Sequence, residues 1–212
     1  MWNTQQVYVH GLGQTSASWE PVLHFLDASE DCVCPDLAKM GSDKETTYPN
    51  LYRAFSGFCD ELEAPLTLCG LSLGGVLSLH YAAEHPERID SLILIAPQYK
   101  MPKQLLRVQN ALFRFMPQSL FRKTGFAKAQ LIQLCDSMKD LDLSQVLPRI
   151  VCPVLVICGS RDRTNQQACV KLAQLLRQAE LRIVEGAGHE LNREAPEKLA
   201  WLLQDFYMQR QS

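Results

Sequence analysis

No stretch of this 212-residue chain supplies the ~20 consecutive apolar residues that cross a bilayer. Nor do residues Met1-Trp2-Asn3-Thr4-Gln5-Gln6 form a basic stretch leading into an apolar run, so a cytoplasmic location is expected. Excess charge of one sign is also missing: 21 Lys and Arg against 23 Asp and Glu leave a formal net charge of -2. That balance gives no footing for nucleic acid or a bulk anionic surface as partner. Internal repeats and low-complexity tracts are absent, and no paired Cys and His cluster completes four ligands, so no metal is expected. The eight cysteines do not form a disulfide pattern. Cys32, Cys34, Cys69 and Cys158 fall inside apolar strand-like runs, where a free thiol behaves as a small hydrophobe.

With 47% hydrophobic residues, the chain can bury a substantial core and is expected to form one domain. Short apolar runs at Gln6–His10, Asp31–Cys34, Leu66–Cys69, Ile89–Ile95, Val154–Cys158 and Leu181–Val184 read as strands. Helical spacing fills the intervals at Ser18–Asp27, Tyr48–Leu62, Val76–Glu84, Gln166–Arg177 and Ala195–Gln209. Strands alternating with helices imply a six-stranded parallel sheet with helices on both faces. Between Gln98 and Pro148 the rhythm breaks, and about fifty residues stand where a single helix would do. The expected organisation is therefore a core of residues 1–97 and 149–212 with an insertion at 98–148, in which Gln104–Phe115 and Ala127–Lys139 have helical spacing.

The most telling segment is Leu68-Cys69-Gly70-Leu71-Ser72-Leu73-Gly74-Gly75, which sets a serine between glycines where a strand hands over to a helix. So sharp a turn strains the backbone and crowds the positions two before and two after the serine; Gly70 and Gly74 relieve the crowding. The following helix turns its free N–H groups and positive dipole end toward the serine. In a parallel sheet the carboxyl ends of all strands share one edge, so loops distant in sequence can converge there. His189, in Gly186-Ala187-Gly188-His189, could take the Ser72 proton, and Asp162, in Gly159-Ser160-Arg161-Asp162, could orient that imidazole. The backbone N–H groups of Leu12 and Leu73 are the candidate oxyanion donors, with Gly11 and Gly13 allowing close approach. Asp136 is an alternative carboxylate inside the insertion. His10 reads as structural, and His24, His80 and His85 as packing or surface residues.

These motifs, in the order Ser, Asp, His, resemble the α/β-hydrolase superfamily in its small esterase and thioesterase-like branch. His10-Gly11 resembles its oxyanion loop, Gly70 to Gly75 its nucleophile elbow, Pro153 to Asp162 its acid strand and loop, and Gly186 to His189 its histidine loop. Pro35-Asp36-Leu37 is also similar, but Ala38-Lys39-Met40-Gly41-Ser42 replaces the usual proline-glycine-histidine-glycine continuation. The resemblance implies an α/β-hydrolase fold trimmed to six strands, with residues 98–148 as a small helical cap over Ser72. It also implies a serine hydrolase that cleaves a small-molecule carboxylic ester or thioester through an acyl-enzyme and requires no cofactor. Two alternatives stand beside it: the same triad used for carbon–carbon hydrolysis or proton abstraction, and a binding protein that keeps the fold without catalysis. The charge of the insertion is lopsided in sign. No acidic residue lies between Asp90 and Asp136, while Lys100, Lys103, Arg107, Arg114, Arg122, Lys123 and Lys128 are basic. A cleft-facing cation among them would favour an anionic substrate, and a solvated helix face would not.

Overall fold

Period-two alternation in the apolar runs produces a sheet whose two faces are covered by different helices. The computed structural model describes residues 4–26, 32–40, 45–102, 115, 117–118 and 125–210. Six strands form the sheet: β1 (Gln5–Val9), β2 (Cys32–Val33), β3 (Leu66–Leu71), β4 (Ile89–Ile95), β5 (Val154–Gly159) and β6 (Ala179–Val184). They lie in the order β2-β1-β3-β4-β5-β6, and every neighbouring pair is parallel. The six-stranded parallel sheet expected from the sequence is present.

The helices are α1 (Glu20–Leu26), α2 (Tyr48–Asp60), α3 (Leu73–Glu84), α4 (Lys128–Met138), α5 (Arg163–Leu175), α6 (Leu191–Glu194) and α7 (Pro196–Met208). Val7, Val9, Leu66, Leu68, Leu92, Leu94, Val154 and Val156 face one core, which includes residues of α2, α3, α4 and α5. Tyr8, Cys69, Leu71, Ile93, Ile95, Leu155 and Ile157 face the other, shared with Trp19, α1 and α7. Because side chains alternate across a strand, a one-residue slip in register would exchange the two cores. None of the eight cysteines forms a disulfide; Cys32 and Cys34 are half-buried and the other six buried. Burial pushes the Cys34 and Cys59 thiols up to about 12, so both stay protonated near neutrality.

Element ends differ from the sequence reading for local reasons. β1 stops at Val9 because His10 already turns into the following loop. Of Asp31–Cys34, Cys32–Val33 is paired, and Asp31 lies outside the described residues. The helix expected from Val76 begins at Leu73, so Gly74 and Gly75 form its first turn rather than a loop. Ala127–Lys139 appears as α4, whereas most of Gln104–Phe115 lies outside the described residues. The 125–147 end of the insertion shares the core of α2: Phe126, Leu131, Leu134, Met138, Leu143 and Leu147 are buried with Leu37, Tyr48 and Leu51. At its root, Met101 N donates to Leu141 O at 2.9 Å and Leu143 N to Tyr99 O at 2.8 Å.

Candidate active site

The chain forms β1, then β2 on one side of it, then β3 on the other, so a crevice opens beyond the carboxyl ends of β1 and β3. Ser72 lies there. It links β3 to α3 with φ 52° and ψ -111°, a conformation that costs an L-residue energy and survives only when its surroundings impose it. Those surroundings are backbone. A Cβ on Gly70 would lie 2.4 Å from Gly74 O, and one on Gly74 would lie 2.2 Å from Val9 O and 2.8 Å from His10 O. Ser72 N donates to Ile95 O at 2.8 Å, fastening the turn to β4. As the residue preceding α3, Ser72 stands at the end where helical N–H groups have no intrahelical partner.

The loop after β1 closes beside it. Gln14 N donates to Gly11 O at 3.2 Å, and Gly13 takes φ 83°. A Cβ on Gly11 would stand 3.5 Å from the Ser72 Cβ, so the loop carrying Leu12 runs beside the serine and a side chain larger than alanine at position 11 would press on it. His10 Nδ1 donates to Gly11 O at 2.9 Å, while Leu37 N donates to its Nε2 at 3.1 Å. This neutral imidazole ties the β1 loop to the loop after β2, which is the structural role expected. Burial lowers its pKa against the opposing influence of the Gly11 hydrogen bond.

At the β5 and β6 end, His189 Nδ1 and Asp162 Oδ2 are 2.7 Å apart. The Asp162 side chain is 5% exposed and that of His189 is 40% exposed, so the acid is sealed and the imidazole reaches the surface of the cleft. Burial alone would raise the Asp162 carboxyl, but hydrogen bonds from His189 and Asn165 outweigh it and hold the group below its ordinary value. Asn165 Nδ2 donates to both carboxylate oxygens, at 2.9 and 2.8 Å, and its Oδ1 accepts from Gln98 Nε2 at 2.7 Å. With Nδ1 engaged by Asp162, Nε2 is the His189 nitrogen free to exchange a proton. Glu194 braces the loop by accepting from Gly188 N at 2.8 Å and Glu190 N at 3.1 Å, on either side of His189. Gly159 brings the two loops together: a Cβ there would lie 2.2 Å from Gly188 O.

The structure thus places Ser72, Leu12, Leu73, Asp162 and His189 along one sheet edge and bonds Asp162 to His189. Among the described residues no hydrogen bond joins Ser72 to His189. Asp136 is exposed on α4, and the carboxylate that reaches His189 is Asp162. Lys100 pairs with Asp142 at 2.8 Å, whereas Lys103, Arg107, Arg114, Arg122 and Lys123 lie outside the described residues. Sequence reasoning missed Asn165, although its place three residues after Asp162 is a capping position: Asn165 N donates to Asp162 Oδ1 at 3.3 Å. It also missed Gln98, Gln14 and Asn192, whose partners lie far away in the chain. No cluster of three or more His, Cys, Asp or Glu placed to hold a metal ion occurs among the described residues, nor does any helix there have the length and apolarity to cross a membrane.

The family model for the alpha/beta hydrolase family matches residues 6–200. Among curated proteins, monoacylglycerol lipase abhd6-B of Xenopus laevis is 25% identical, the match covering 96% of this chain and 75% of the lipase. A pimeloyl-[acyl-carrier protein] methyl ester esterase of Neisseria meningitidis is 24% identical, covering 95% of this chain and 92% of that protein. Among solved structures, the enol-lactonase from Burkholderia xenovorans LB400 superposes with a TM-score of 0.82 at 22% identity, covering 97% of this chain and 92% of the other. The chain belongs to the alpha/beta hydrolase family and is an enzyme of that fold.

Proposed function

We propose that the chain is a serine hydrolase that cleaves a carboxylic ester or thioester through an acyl-enzyme. Ser72 is the nucleophile, His189 the general base and then acid, Asp162 the group that orients His189, and the N–H groups of Leu12 and Leu73 the oxyanion donors. One observation carries the reading: a serine held at φ 52° shares a sheet edge with an imidazole bonded to a sealed carboxylate at 2.7 Å. The two curated relatives, by their names a lipase and a methyl ester esterase, support the substrate class.

In this reading His189 Nε2 takes the proton as the Ser72 hydroxyl attacks the acyl carbon, and the charge moves to the acyl oxygen. Fixed N–H donors oppose that charge without reorganising, each worth about 10²–10³ in rate. His189 then protonates the leaving alcohol or thiol, and water repeats the sequence to free the acid. Asp162, kept ionised by the donors around it, stabilises the imidazolium formed at each step.

We read residues 98–148 as a cap over this edge. Gln98 is anchored beside the β5 loop through Asn165. Midway along the segment, Gly125 lies against the β2 loop, where a Cβ would come 2.7 Å from the Ala38 Cβ. These anchors flank the strand ends on either side of Ser72.

A panel of nitrophenyl esters and acyl-CoA thioesters, run with wild type and Ser72→Ala, tests the assignment. Turnover of at least one class, lost in Ser72→Ala together with fluorophosphonate labelling, is expected. Equal turnover by both proteins rejects Ser72 as the nucleophile.

A further inference from the structure

Gln14 and Asn192 stand 178 positions apart, and their amides meet face to face in the interior. Gln14 Nε2 donates to Asn192 Oδ1 at 3.2 Å, and Asn192 Nδ2 donates to Gln14 Oε1 at 3.0 Å. Gln14 is 1% exposed and Asn192 fully buried. The same Gln14 oxygen accepts from Ser18 Oγ at 3.1 Å and from Gly11 N at 3.4 Å, and Asn192 Nδ2 also donates to Ser18 O at 3.2 Å. Turning either amide over would set donor against donor, so the network has one arrangement.

Burying two amides is costly unless every polar atom is matched, and an apolar pair of similar volume would fill the space with less demand on geometry. What the amides add is register: apolar surfaces can slide, whereas two opposed hydrogen bonds fix both distance and angle. The segments they fix are those carrying the proposed chemistry. Gln14 closes the turn that presents Leu12, and its oxygen holds the amide of Gly11, where an added Cβ would reach within 3.5 Å of the Ser72 Cβ. Asn192 lies on the short helix α6, three residues after His189. Glu194 on the same helix holds the amides flanking His189, so a shift of α6 would move the imidazole.

We propose that Gln14 and Asn192 are positioning residues: their amide pair sets the oxyanion loop against the histidine loop, so that donor and base meet the same acyl group in register. The inference rests on Leu12 and His189 having the roles given above. A base and an oxyanion donor act on one transition state, and a misplacement of about 1 Å can cost about 10² in rate.

The test is a double-mutant cycle with Gln14→Met, Asn192→Leu and the pair together, on a short nitrophenyl ester, recording kcat, KM and melting temperature beside Ser72→Ala. Each single change is expected to lower kcat about 10- to 100-fold with KM within about twofold, and the double variant to be no worse than the poorer single, because either change breaks the same bridge. Asn192→Ser, which keeps one hydrogen-bonding group and leaves room for water, covers the case in which a larger change prevents folding; the same loss confined to kcat is expected. A lowered melting temperature with kcat within twofold of wild type would make the pair purely structural and overturn the proposal, as would losses that multiply in the double variant. If Ser72→Ala is inactive while the amide variants keep kcat, the positioning role alone falls. If Ser72→Ala keeps wild-type turnover, the hydrolytic assignment itself falls.

Discussion

The two halves of the site are held by different forces. The Ser72 half, at the ends of β1 and β3, is fixed mainly by backbone packed against backbone, with the His10 and Gln14 side chains bracing the β1 loop. Gly70, Gly74 and the turn at Ser72 leave no room for a single added carbon, and hydrogen bonds between main-chain groups finish the work. The His189 half, after β5 and β6, depends more on side chains, although Gly159 packs there against backbone too: Asn165 holds Asp162, Asp162 holds His189, and Glu194 holds the loop. A steric frame fails abruptly when a carbon is added, because backbone cannot step aside. A hydrogen-bonded frame weakens by degrees, as one donor is lost and others remain.

The largest effect that would sharpen this contrast is Gly74→Ala, whose Cβ would stand 2.2 Å from Val9 O. A stability loss of about 3 kcal/mol and loss of the serine's labelling by fluorophosphonate are expected. Denaturant unfolding checks this, and a variant within about 0.5 kcal/mol of wild type would mean the elbow is not sterically enforced. In the other half, Asp162→Asn is expected to leave the fold intact and lower kcat about 10³- to 10⁴-fold, because the amide no longer holds the productive tautomer. Asn165→Leu should be milder, about tenfold in kcat, because Asp162 keeps its bond to His189. Steady-state kinetics on the same ester ranks the two, and an equal loss from both would break the graded picture. Gly186→Ala makes a further contrast: φ is 78° but a Cβ would meet nothing within 4 Å. Only the left-handed backbone cost of about 1 kcal/mol is expected, with kcat unchanged.

The smallest effect concerns pH. Burial lowers the pKa of His10, so as the pH falls the unfolded chain gains a proton on that imidazole before the folded protein does. The corresponding stability is complete above about pH 6.5 and is lost progressively below it. His80, also lowered by burial, adds to the same slope. Melting temperatures measured from pH 7.5 to 5.5 should fall toward acid, and His10→Asn should flatten part of that decline. Asp162 acts in the same direction in a lower window: its depressed pKa gives stability present above about pH 4 and lost as the pH falls through the folded value.

The Ser72 half was the more legible in the sequence, because its requirements are local. A serine flanked by glycines two positions away on each side is a steric statement about one turn, and the five consecutive residues Gly70 to Gly74 contain it. The His189 loop was legible for a similar reason, since glycines at 186 and 188 frame it. Asn165 left a fainter trace, a capping position three residues after Asp162 that reads equally well as an ordinary helix start. Gln14 and Asn192 left none. A glutamine in one loop and an asparagine in another look like solvent-facing residues until the fold buries them against each other.

From the chain alone came the number of strands, their parallel pairing and the chemical identity of the candidate groups, because periodicity and glycine placement act over a few residues and do not depend on the rest of the molecule. Tertiary structure decided the partners. It selected Asp162 over Asp136 for His189, gave Asn165 to Asp162, and joined Gln14 to Asn192, since a hydrogen bond depends on distances in space that strand order, and not sequence separation, sets.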